Sequence, residues 1–503
     1  MRPIVFYLVA VATWLFCGAE AVALNGRWQP PDIQPASASL SDVLAKQVRA
    51  LGNPEARYAQ RTERYVLQTN DVRLISNFSV RNDDFRVATT IDGSVYEQGR
   101  HEGLRWRRTP AGLVRIIESD IQGDDLDRWP LALLPVHAAD CALVGETTGS
   151  SPAWVVEYRP AHEYPHWFYV DQTSGLITRE VMRDGSRVNT IVFDDFRPIA
   201  GTQRPYHWRV TGAGGPLGVS LDDLEFAPIA PAALEIPLSQ THLTALPPAQ
   251  PVALPASFGP QEIMLRTSVD GKVFDFLLDT GTTQIILDDA AARRLGIRST
   301  LGHALVKELT VGPARIENAS VLTVNLGGFG VGGILGYDFF AGHVVHIDYR
   351  HQRVELMDRS AFFPPATAWV LDAWCGEGLP LITLPFGDAV GQRFALDTGS
   401  PNLLLLQYLS DHDGIRLGDI GLGRPFGQGT MRFLEGLIAT DHASLRSIRI
   451  GRVTFRDFPV MIERVNAGDA IEIPLDGIIG TRILNRFEWW FDYDGGRLWF
   501  QPT

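Results

Sequence analysis

The triplet Asp-Thr-Gly occurs twice in the chain, at Asp279-Thr280-Gly281 and at Asp397-Thr398-Gly399. An apolar run precedes each copy, so we expect each aspartate at the end of a buried strand. Two carboxylates about 3 Å apart cannot both ionise at low cost, and such a pair holds one proton between them. The ionised member can take a proton from water while the protonated member polarises a carbonyl. This chemistry is hydrolysis by an activated water molecule.

The residues around each aspartate have the properties that such a pair needs. Glycine lets the backbone turn sharply and approach its mirror copy. The threonine hydroxyls can donate hydrogen bonds across an approximate twofold axis and hold the two loops together. We expect the next residue in each copy to hydrogen-bond the outer carboxylate oxygen. These supporting residues are Thr280, Gly281 and Thr282 in the first copy, and Thr398, Gly399 and Ser400 in the second.

The two triplets belong to a longer internal repeat. They are 118 residues apart (397 minus 279), and the match continues to Gly296-Ile-Arg298 and Gly414-Ile-Arg416. The later segments Gly333–Gly336 and Gly477–Gly480 match at an offset of 144 (480 minus 336). Ile347-Asp-Tyr349 and Phe491-Asp-Tyr493 follow in the same register. Two copies of one unit predict two lobes related by a pseudo-twofold axis. Gly336 and Gly480 are expected to pack beside the Asp loops as their floor.

Residues 260–503 resemble the pepsin and retropepsin clan of aspartic peptidases, in the form of bacterial proteins that carry two lobes in one chain. The resemblance implies that Asp279 and Asp397 are the catalytic pair, that the two threonines interlock, and that Gly336 and Gly480 support the loops. It also implies hydrolysis of an extended polypeptide without a metal, a cofactor or a covalent intermediate. The alternative within this fold is a catalytically idle protein that binds a peptide or lipid.

The expected fold class is mainly β: a bilobed aspartic-peptidase fold behind an N-terminal antiparallel β-domain. Serial hairpin patterns and the turn near Asp171 make the N-terminal part resemble the half-barrel of lipoprotein carriers. That resemblance raises the possibility that this domain binds an envelope lipid or peptide. The predicted segments are 1–23 (signal peptide), 24–240 (β-domain), 241–259 (Pro-rich linker), 260–358 (lobe 1), 359–377 (bridge) and 378–503 (lobe 2).

Composition and the N-terminus restrict location and partners. Arg2, the apolar stretch Ile4–Phe16 and the small-x-small site ending at Ala23 predict a cleaved export signal, hence a periplasmic or secreted protein. An uncleaved segment would instead anchor the chain. A net charge of −13 argues against nucleic acid as a partner, and we expect a monomer. Cleavage leaves Cys141 and Cys375, which could pair or stay free.

The cover over the substrate is expected to come from the second lobe. The repeat unit of that lobe carries 26 additional residues (144 minus 118), nearly all between Arg416 and Gly451. The first lobe has only Ser299–Glu308 at the matching place, too short for a long flap. We therefore predict a hairpin flap near Gly427–Ile438, whose removal with residues 424–436 would abolish cleavage. The alternative is a surface insertion.

A second protease pattern, His162-Glu-Tyr-Pro-His166, matches the zinc-binding HExxH motif. That chemistry requires a helix that places both histidines on one face. Pro165 and the strand-like flanking sequence oppose a helix, so no metal site is predicted.

Overall fold

The structure is a computed structural model. It describes residues 30, 33–53, 59–69, 72–91, 94–108, 112, 114–117, 134, 138–159, 166–184, 187–212, 216–238, 244–246, 251–300, 302–375, 378–406, 409, 420–424, 426–433, 436–463 and 475–503. The predicted signal peptide and Cys17 lie outside these residues. Cys141 and Cys375 are free thiols.

The chain is mainly β and divides into two compact units, residues 1–107 with 117–237 and residues 108–116 with 238–503. The mainly β fold class predicted from the sequence is thereby confirmed. Among the described residues, no helix combines the length and apolar character needed to span a membrane.

The first unit contains helix α1 and twelve strands of one antiparallel sheet. Helix α1 covers Leu40–Leu51 and is capped by the Ser39 hydroxyl. The sheet order is β5-β4-β3-β2-β1-β13-β12-β11-β10-β9-β8-β7. The twelve strands are β1 Arg61–Gln68, β2 Arg73–Arg81, β3 Asp84–Ile91, β4 Ser94–His101, β5 Leu104–Arg108, β7 Cys141–Glu146, β8 Ala153–Tyr158, β9 His166–Asp171, β10 Ile177–Asp184, β11 Arg187–Ile199, β12 Thr202–Thr211 and β13 Leu217–Glu225. Strand β6 covers Val114–Ile117.

The turn near Asp171 connects β9 and β10 as a hairpin. The Asp171 carboxylate accepts hydrogen bonds from the backbone N–H groups of Thr173 (3.1 Å) and Ser174 (2.7 Å). His166, the last residue of the HExxH pattern, lies on β9 and contacts Glu180 through Nδ1 at 2.8 Å. His162 and Glu163 fall outside the described residues. A strand at His166 does not provide the helical face that the zinc motif requires.

The second unit contains two lobes built on the same plan. Lobe 1 has a seven-stranded sheet in the order β15-β16-β17-β21-β18-β20-β19, and β16 also pairs with β19. Its elements are β14 Val252–Ala253, β15 Ala256–Phe258, β16 Ile263–Val269, β17 Lys272–Leu278, β18 Ile285–Asp288, α2 Asp289–Leu295, β19 His303–Val311, β20 Ala314–Val324, β21 Gly333–Leu335, α3 Tyr337–Phe340, β22 His343–Asp348 and β23 Arg353–Asp358. Strands β14 and β15 lie within the segment that the sequence predicted as a linker.

Lobe 2 repeats this arrangement with β28 as an additional edge strand and without a counterpart of β15. Its sheet order is β25-β26-β31-β27-β30-β29-β28, with β25 also paired to β29. The elements are β24 Trp369–Asp372, β25 Leu381–Phe386, β26 Ala389–Leu396, β27 Leu403–Leu405, β28 Gly427–Phe433, β29 Gly436–Ile450, β30 Val453–Glu463, β31 Gly477–Ile479, α4 Thr481–Leu484, β32 Phe487–Asp492 and β33 Arg497–Pro502. Short 3₁₀ turns cover Ala138–Asp140, Pro231–Ala233 and Arg359–Ala361.

A six-stranded sheet joins the lobes in the order β14-β23-β22-β32-β33-β24. The equivalent strands β22 and β32 pair antiparallel at its centre, as a twofold relation requires. The buried His346 lies at this junction, with its ring nitrogens 2.8 Å from Glu355 and 2.8 Å from Glu488 and its ring stacked on Trp490. One apolar core runs through both lobes and includes Phe276 and Phe394.

Candidate active site

Each Asp-Thr-Gly triplet begins one residue after a buried strand. Asp279 follows β17 and Asp397 follows β26. The backbone N–H of Asp279 donates to the Leu335 carbonyl (3.1 Å), and that of Asp397 donates to the Ile479 carbonyl (3.0 Å). The apolar residues before each aspartate therefore fix the loop to the neighbouring strand at equivalent points of the two lobes.

The threonines of the two triplets interlock across the lobe boundary. Thr280 Oγ1 donates to the Leu396 carbonyl (2.8 Å) and accepts from the Thr398 N–H (3.0 Å). Thr398 Oγ1 donates to the Leu278 carbonyl (2.8 Å) and accepts from the Thr280 N–H (3.0 Å). Both threonines are fully buried. These four reciprocal bonds hold the loops against each other.

Glycine is required where the two loops meet. A Cβ on Gly399 would lie 2.6 Å from Asp279 Cγ, and one on Gly281 would overlap the Asp397 carboxyl group. Either substitution would push the two carboxyl groups apart. Gly336 and Gly480 pack against backbone carbonyls of the segments that follow the triplets. They therefore lie directly beneath the Asp loops, as the repeat predicted.

The two carboxyl groups lie side by side, each packed against the glycine of the opposite loop, and each perturbs the ionisation of the other. Asp279 is 8% exposed, and Asp397 is half-buried. The Gly281 N–H donates to Asp279 Oδ1 (2.7 Å), and the Gly399 N–H donates to Asp397 Oδ1 (2.7 Å). The sequence-predicted pair therefore occupies a single site in which one proton can be shared.

Burial raises the pKa of both carboxyl groups above the usual aspartate value. For Asp279 this rise is opposed by hydrogen bonds from Thr282, Asp397 and the backbone. For Asp397, burial, the neighbouring Asp279 charge and the hydrogen bond between them raise the pKa well above its ordinary value. Both pKa values are raised by burial, and the charge of one carboxyl group opposes ionisation of the other, so the pair can hold one proton between them.

The residues after the triplets make this pair asymmetric. Thr282 Oγ1 donates to Asp279 Oδ2 at 2.8 Å, as expected. Ser400 contacts Asp397 through its backbone N–H at 3.1 Å, while its buried hydroxyl has no partner among the described residues. The predicted hydroxyl bond from Ser400 to the carboxylate is therefore absent, and Asp397 accepts from two backbone N–H groups where Asp279 accepts from one N–H and one hydroxyl. Both donors to Asp397 bond Oδ1, whereas Asp279 has one donor at each carboxyl oxygen.

Two tyrosines near the site were not identified as site residues from the sequence. Tyr493 donates from its hydroxyl to the Thr280 carbonyl at 3.3 Å. Tyr349 holds the equivalent place in the repeat, and its buried hydroxyl has no partner among the described residues. The matching segments Ile347–Tyr349 and Phe491–Tyr493 identified both tyrosines as equivalent positions of the repeat. The spacing alone did not predict that either side chain lies close to the Asp-Thr-Gly loops.

A hairpin occupies the place where the second lobe was predicted to carry a flap. Strand β28 pairs antiparallel with the first part of β29, from Gly427↔His442 to Phe433↔Gly436. Met431, two residues before the turn end of β28, is buried in a small apolar cluster with Leu404 and Ile478, which packs this part of the hairpin against lobe 2. In lobe 1, an isolated bridge between Thr300 and His303 precedes β19 instead. Across the part of the chain that the structure describes, no cluster of three or more His, Cys, Asp or Glu side chains could hold a metal ion.

Comparison with known proteins gave a family match within lobe 1. Residues 265–339 match the family model described as aspartyl protease. A retropepsin-like aspartic protease from Rickettsia conorii is similar at 18% identity and a TM-score of 0.20, over 27% of this chain and 99% of its own. A comparison with curated proteins gave no match.

Two further solved structures are similar to the N-terminal part. One is a LolA superfamily protein from Nitrosomonas europaea, with 13% identity and a TM-score of 0.31 over 40% of this chain and 98% of its own. The other is a DUF1329 family protein from Desulfovibrio piger, with 17% identity and a TM-score of 0.28 over 40% of this chain and 98% of its own. The aspartyl protease match over residues 265–339 confirms the aspartic-peptidase part of the resemblance stated from the sequence.

Proposed function

We propose that the chain is an aspartic endopeptidase in which Asp279 and Asp397 activate one water molecule. The observation that carries this proposal is the contact between two buried or half-buried carboxyl groups at the junction of two equivalent lobes. The aspartyl protease match over residues 265–339 supports it and implies a polypeptide substrate. An extended peptide would pair strand-to-strand with the walls of the site.

The asymmetry of the pair supports a specific assignment of roles. The Asp279 carboxylate takes a proton from water as the water oxygen attacks the peptide carbonyl carbon, while Asp397 gives its proton to the carbonyl oxygen. Asp279 then gives its proton to the peptide nitrogen, the C–N bond breaks, and Asp397 takes back a proton from a hydroxyl of the intermediate. The products are a carboxylic acid and an amine, and both aspartates return to their starting states.

The proposed mechanism predicts a bell-shaped pH dependence of kcat/KM with its maximum at acidic to mildly acidic pH. As pH rises, the shared proton is lost from Asp397, whose raised pKa retains it beyond the range of an ordinary aspartate. As pH falls, Asp279 is protonated and cannot accept a proton from water. Initial rates on denatured casein across this range test the expectation. A flat profile over roughly pH 4 to 9 would contradict it.

We propose that the β28–β29 hairpin covers the bound substrate. The predicted test, deletion of residues 424–436, would remove strand β28 and the buried Met431, so a shorter change is needed. Replacing Arg432–Leu437 by Asn-Gly joins Met431 to Ile438, which already pair, through a type I′ turn. We expect kcat/KM to fall about 100-fold because the substrate is held less closely.

The matched control keeps the hairpin at full length. Changing only Leu434-Glu435 to Asn-Gly alters the turn without removing the paired residues Phe433 and Gly436. Both variants should unfold at the temperature of the original chain. Undiminished turnover in the shortened variant would mean that the hairpin does not cover the substrate.

Export of the chain remains a proposal from the sequence, with cleavage after Ala23. Mass spectrometry of the intact protein recovered from the periplasm or the medium tests it. A product beginning at Leu24 supports export, and a protein confined to the cytoplasm opposes it.

A further inference from the structure

We propose that Tyr493 is a positioning residue that tunes the ionisation of Asp279 through the peptide group between Thr280 and Gly281. The Tyr493 hydroxyl donates to the Thr280 carbonyl at 3.3 Å. The N–H of that same peptide group belongs to Gly281, and it donates to Asp279 Oδ1 at 2.7 Å. One peptide group thus connects the phenol of lobe 2 to the carboxylate of lobe 1.

The connection acts through the resonance of the peptide bond. A donor at the carbonyl oxygen increases the positive charge on the N–H of the same group, because the C–N bond has partial double-bond character. Hydrogen bonds in such a chain strengthen one another by roughly 10–30% each. A stronger Gly281 N–H bond favours the charged form of Asp279 and lowers its pKa. The separation of 3.3 Å is long for a hydroxyl donor, so the effect should be modest.

The surroundings keep the Tyr493 hydroxyl neutral and in place. Tyr493 is 4% exposed, and its ring packs against Tyr337 and Phe340 at centroid distances of 5.1 and 6.3 Å. Tyr337 is fixed in turn by a 2.7 Å hydrogen bond from its hydroxyl to Asp494. Burial and nearby acidic groups raise the pKa of Tyr493 well above its usual value, so it remains a donor throughout the working range.

The internal repeat supplies a matched comparison within the same molecule. Tyr349 holds the corresponding place after β22, as Tyr493 does after β32. Its hydroxyl is buried but has no partner among the described residues, so no equivalent connection reaches Asp397. Tyr349→Phe therefore removes the same atom from an equivalent position without breaking a hydrogen bond.

The test measures kcat/KM against pH for the original chain, Tyr493→Phe and Tyr349→Phe with one peptide substrate. Tyr493→Phe keeps the ring and removes the donor, so the acidic limb of its profile, which Asp279 sets, should move upward by about 0.3–0.5 pH unit, while the alkaline limb should stay in place. Tyr349→Phe should match the original chain. A Tyr493→Phe profile that coincides with the original, or an equal shift in both variants, would overturn the proposal.

This inference rests on the proposed peptidase function, and a second readout separates the two. The carboxyl carbon of Asp279 is titrated by NMR in protein labelled with ¹³C-aspartate, with Asp279→Asn identifying its signal. If the original chain cleaves nothing, the peptidase proposal fails, and the titration still decides the role of Tyr493. An upward shift in Tyr493→Phe alone supports that role, and an unmoved signal contradicts it.

Should Tyr493→Phe fail to fold, 3-fluorotyrosine at position 493 gives the opposite perturbation. Fluorination makes the phenol a stronger donor at nearly constant volume, so the Asp279 signal should titrate at lower pH. No shift, or a shift to higher pH, would contradict the proposed connection.

Discussion

Asp279→Asn and Asp397→Asn should each reduce peptide cleavage by at least about 1,000-fold while leaving the fold intact. An amide is close in size to the carboxyl group it replaces, so the interlocked threonines can remain in place. It cannot accept a proton from water or return one to the leaving nitrogen. Since the two acids act as a unit, the double variant should lose little more than either single variant.

The control for this prediction is Asp289→Asn, in the first turn of helix α2. Asp289 lies outside the Asp-Thr-Gly loops, so the Asp289→Asn variant should retain full activity. Cleavage of denatured casein and thermal unfolding are measured for the original chain and all four variants. Retained cleavage in either dyad variant would contradict the proposed chemistry, and it would favour the alternative in which this fold serves as a binding module.

The interlocked threonines should contribute more to stability than their size suggests. Thr280→Val removes the hydroxyl but keeps the shape, and it leaves the Thr398 N–H and the Leu396 carbonyl without their partner. Two buried groups that lose a hydrogen bond cost about 2–5 kcal/mol together. Thr398→Val should cost a similar amount, because it affects the separate bonds to Thr280 and Leu278.

The matched control replaces each threonine by serine, which keeps the hydroxyl and loses one methyl group. Thr280→Ser and Thr398→Ser should lie much closer to the original chain than the valine variants. Each kcal/mol lowers the melting temperature by roughly 2–4 °C in a domain of this size. Both valine variants should also lose activity, because the loops that align the carboxyl groups loosen. Equal melting temperatures for the valine and serine variants would show that the hydroxyls contribute nothing.

Most of the fold of the second unit could be predicted from the internal repeat in the sequence. Apolar runs before Asp279 and Asp397, together with later matches at Gly336 and Gly480, indicated two equivalent lobes. The helix after Asp288 was also predictable, since Asp288 caps it and Gly296 ends it with a left-handed φ of 69°. These features depend on local sequence, where hydrogen-bonding and steric rules apply directly.

The features that were missed depend on distant parts of the chain coming together. Tyr493 reaches the Thr280 carbonyl from 213 residues away, and no local pattern encodes that approach. The hydroxyl of Ser400 was expected to behave like that of Thr282, but equal spacing does not fix where a side chain points. The Pro-rich composition of residues 241–259 favoured a linker, whereas pairing with β23 and β16 makes strands of Val252–Ala253 and Ala256–Phe258.

The asymmetry between the two lobes has a consequence for the chemistry. Thr282 and the peptide group contacted by Tyr493 both support the charge on Asp279, while Asp397 lacks the corresponding hydroxyl bonds. A symmetric pair would leave the shared proton equally placed on either acid. In the proposed mechanism these contacts bias the proton toward Asp397 and leave Asp279 ionised to accept a proton from water.

The most direct test of the shared proton is the titration of both carboxyl carbons by ¹³C NMR, in the original chain and in Asp279→Asn. We predict that Asp397 stays protonated well above the ordinary aspartate range, because burial and the charge of Asp279 raise its pKa. In Asp279→Asn the neighbouring charge is gone, so Asp397 should titrate at lower pH than in the original chain. Two independent titrations near the ordinary aspartate pKa, with Asp397 unchanged in the variant, would contradict a shared proton.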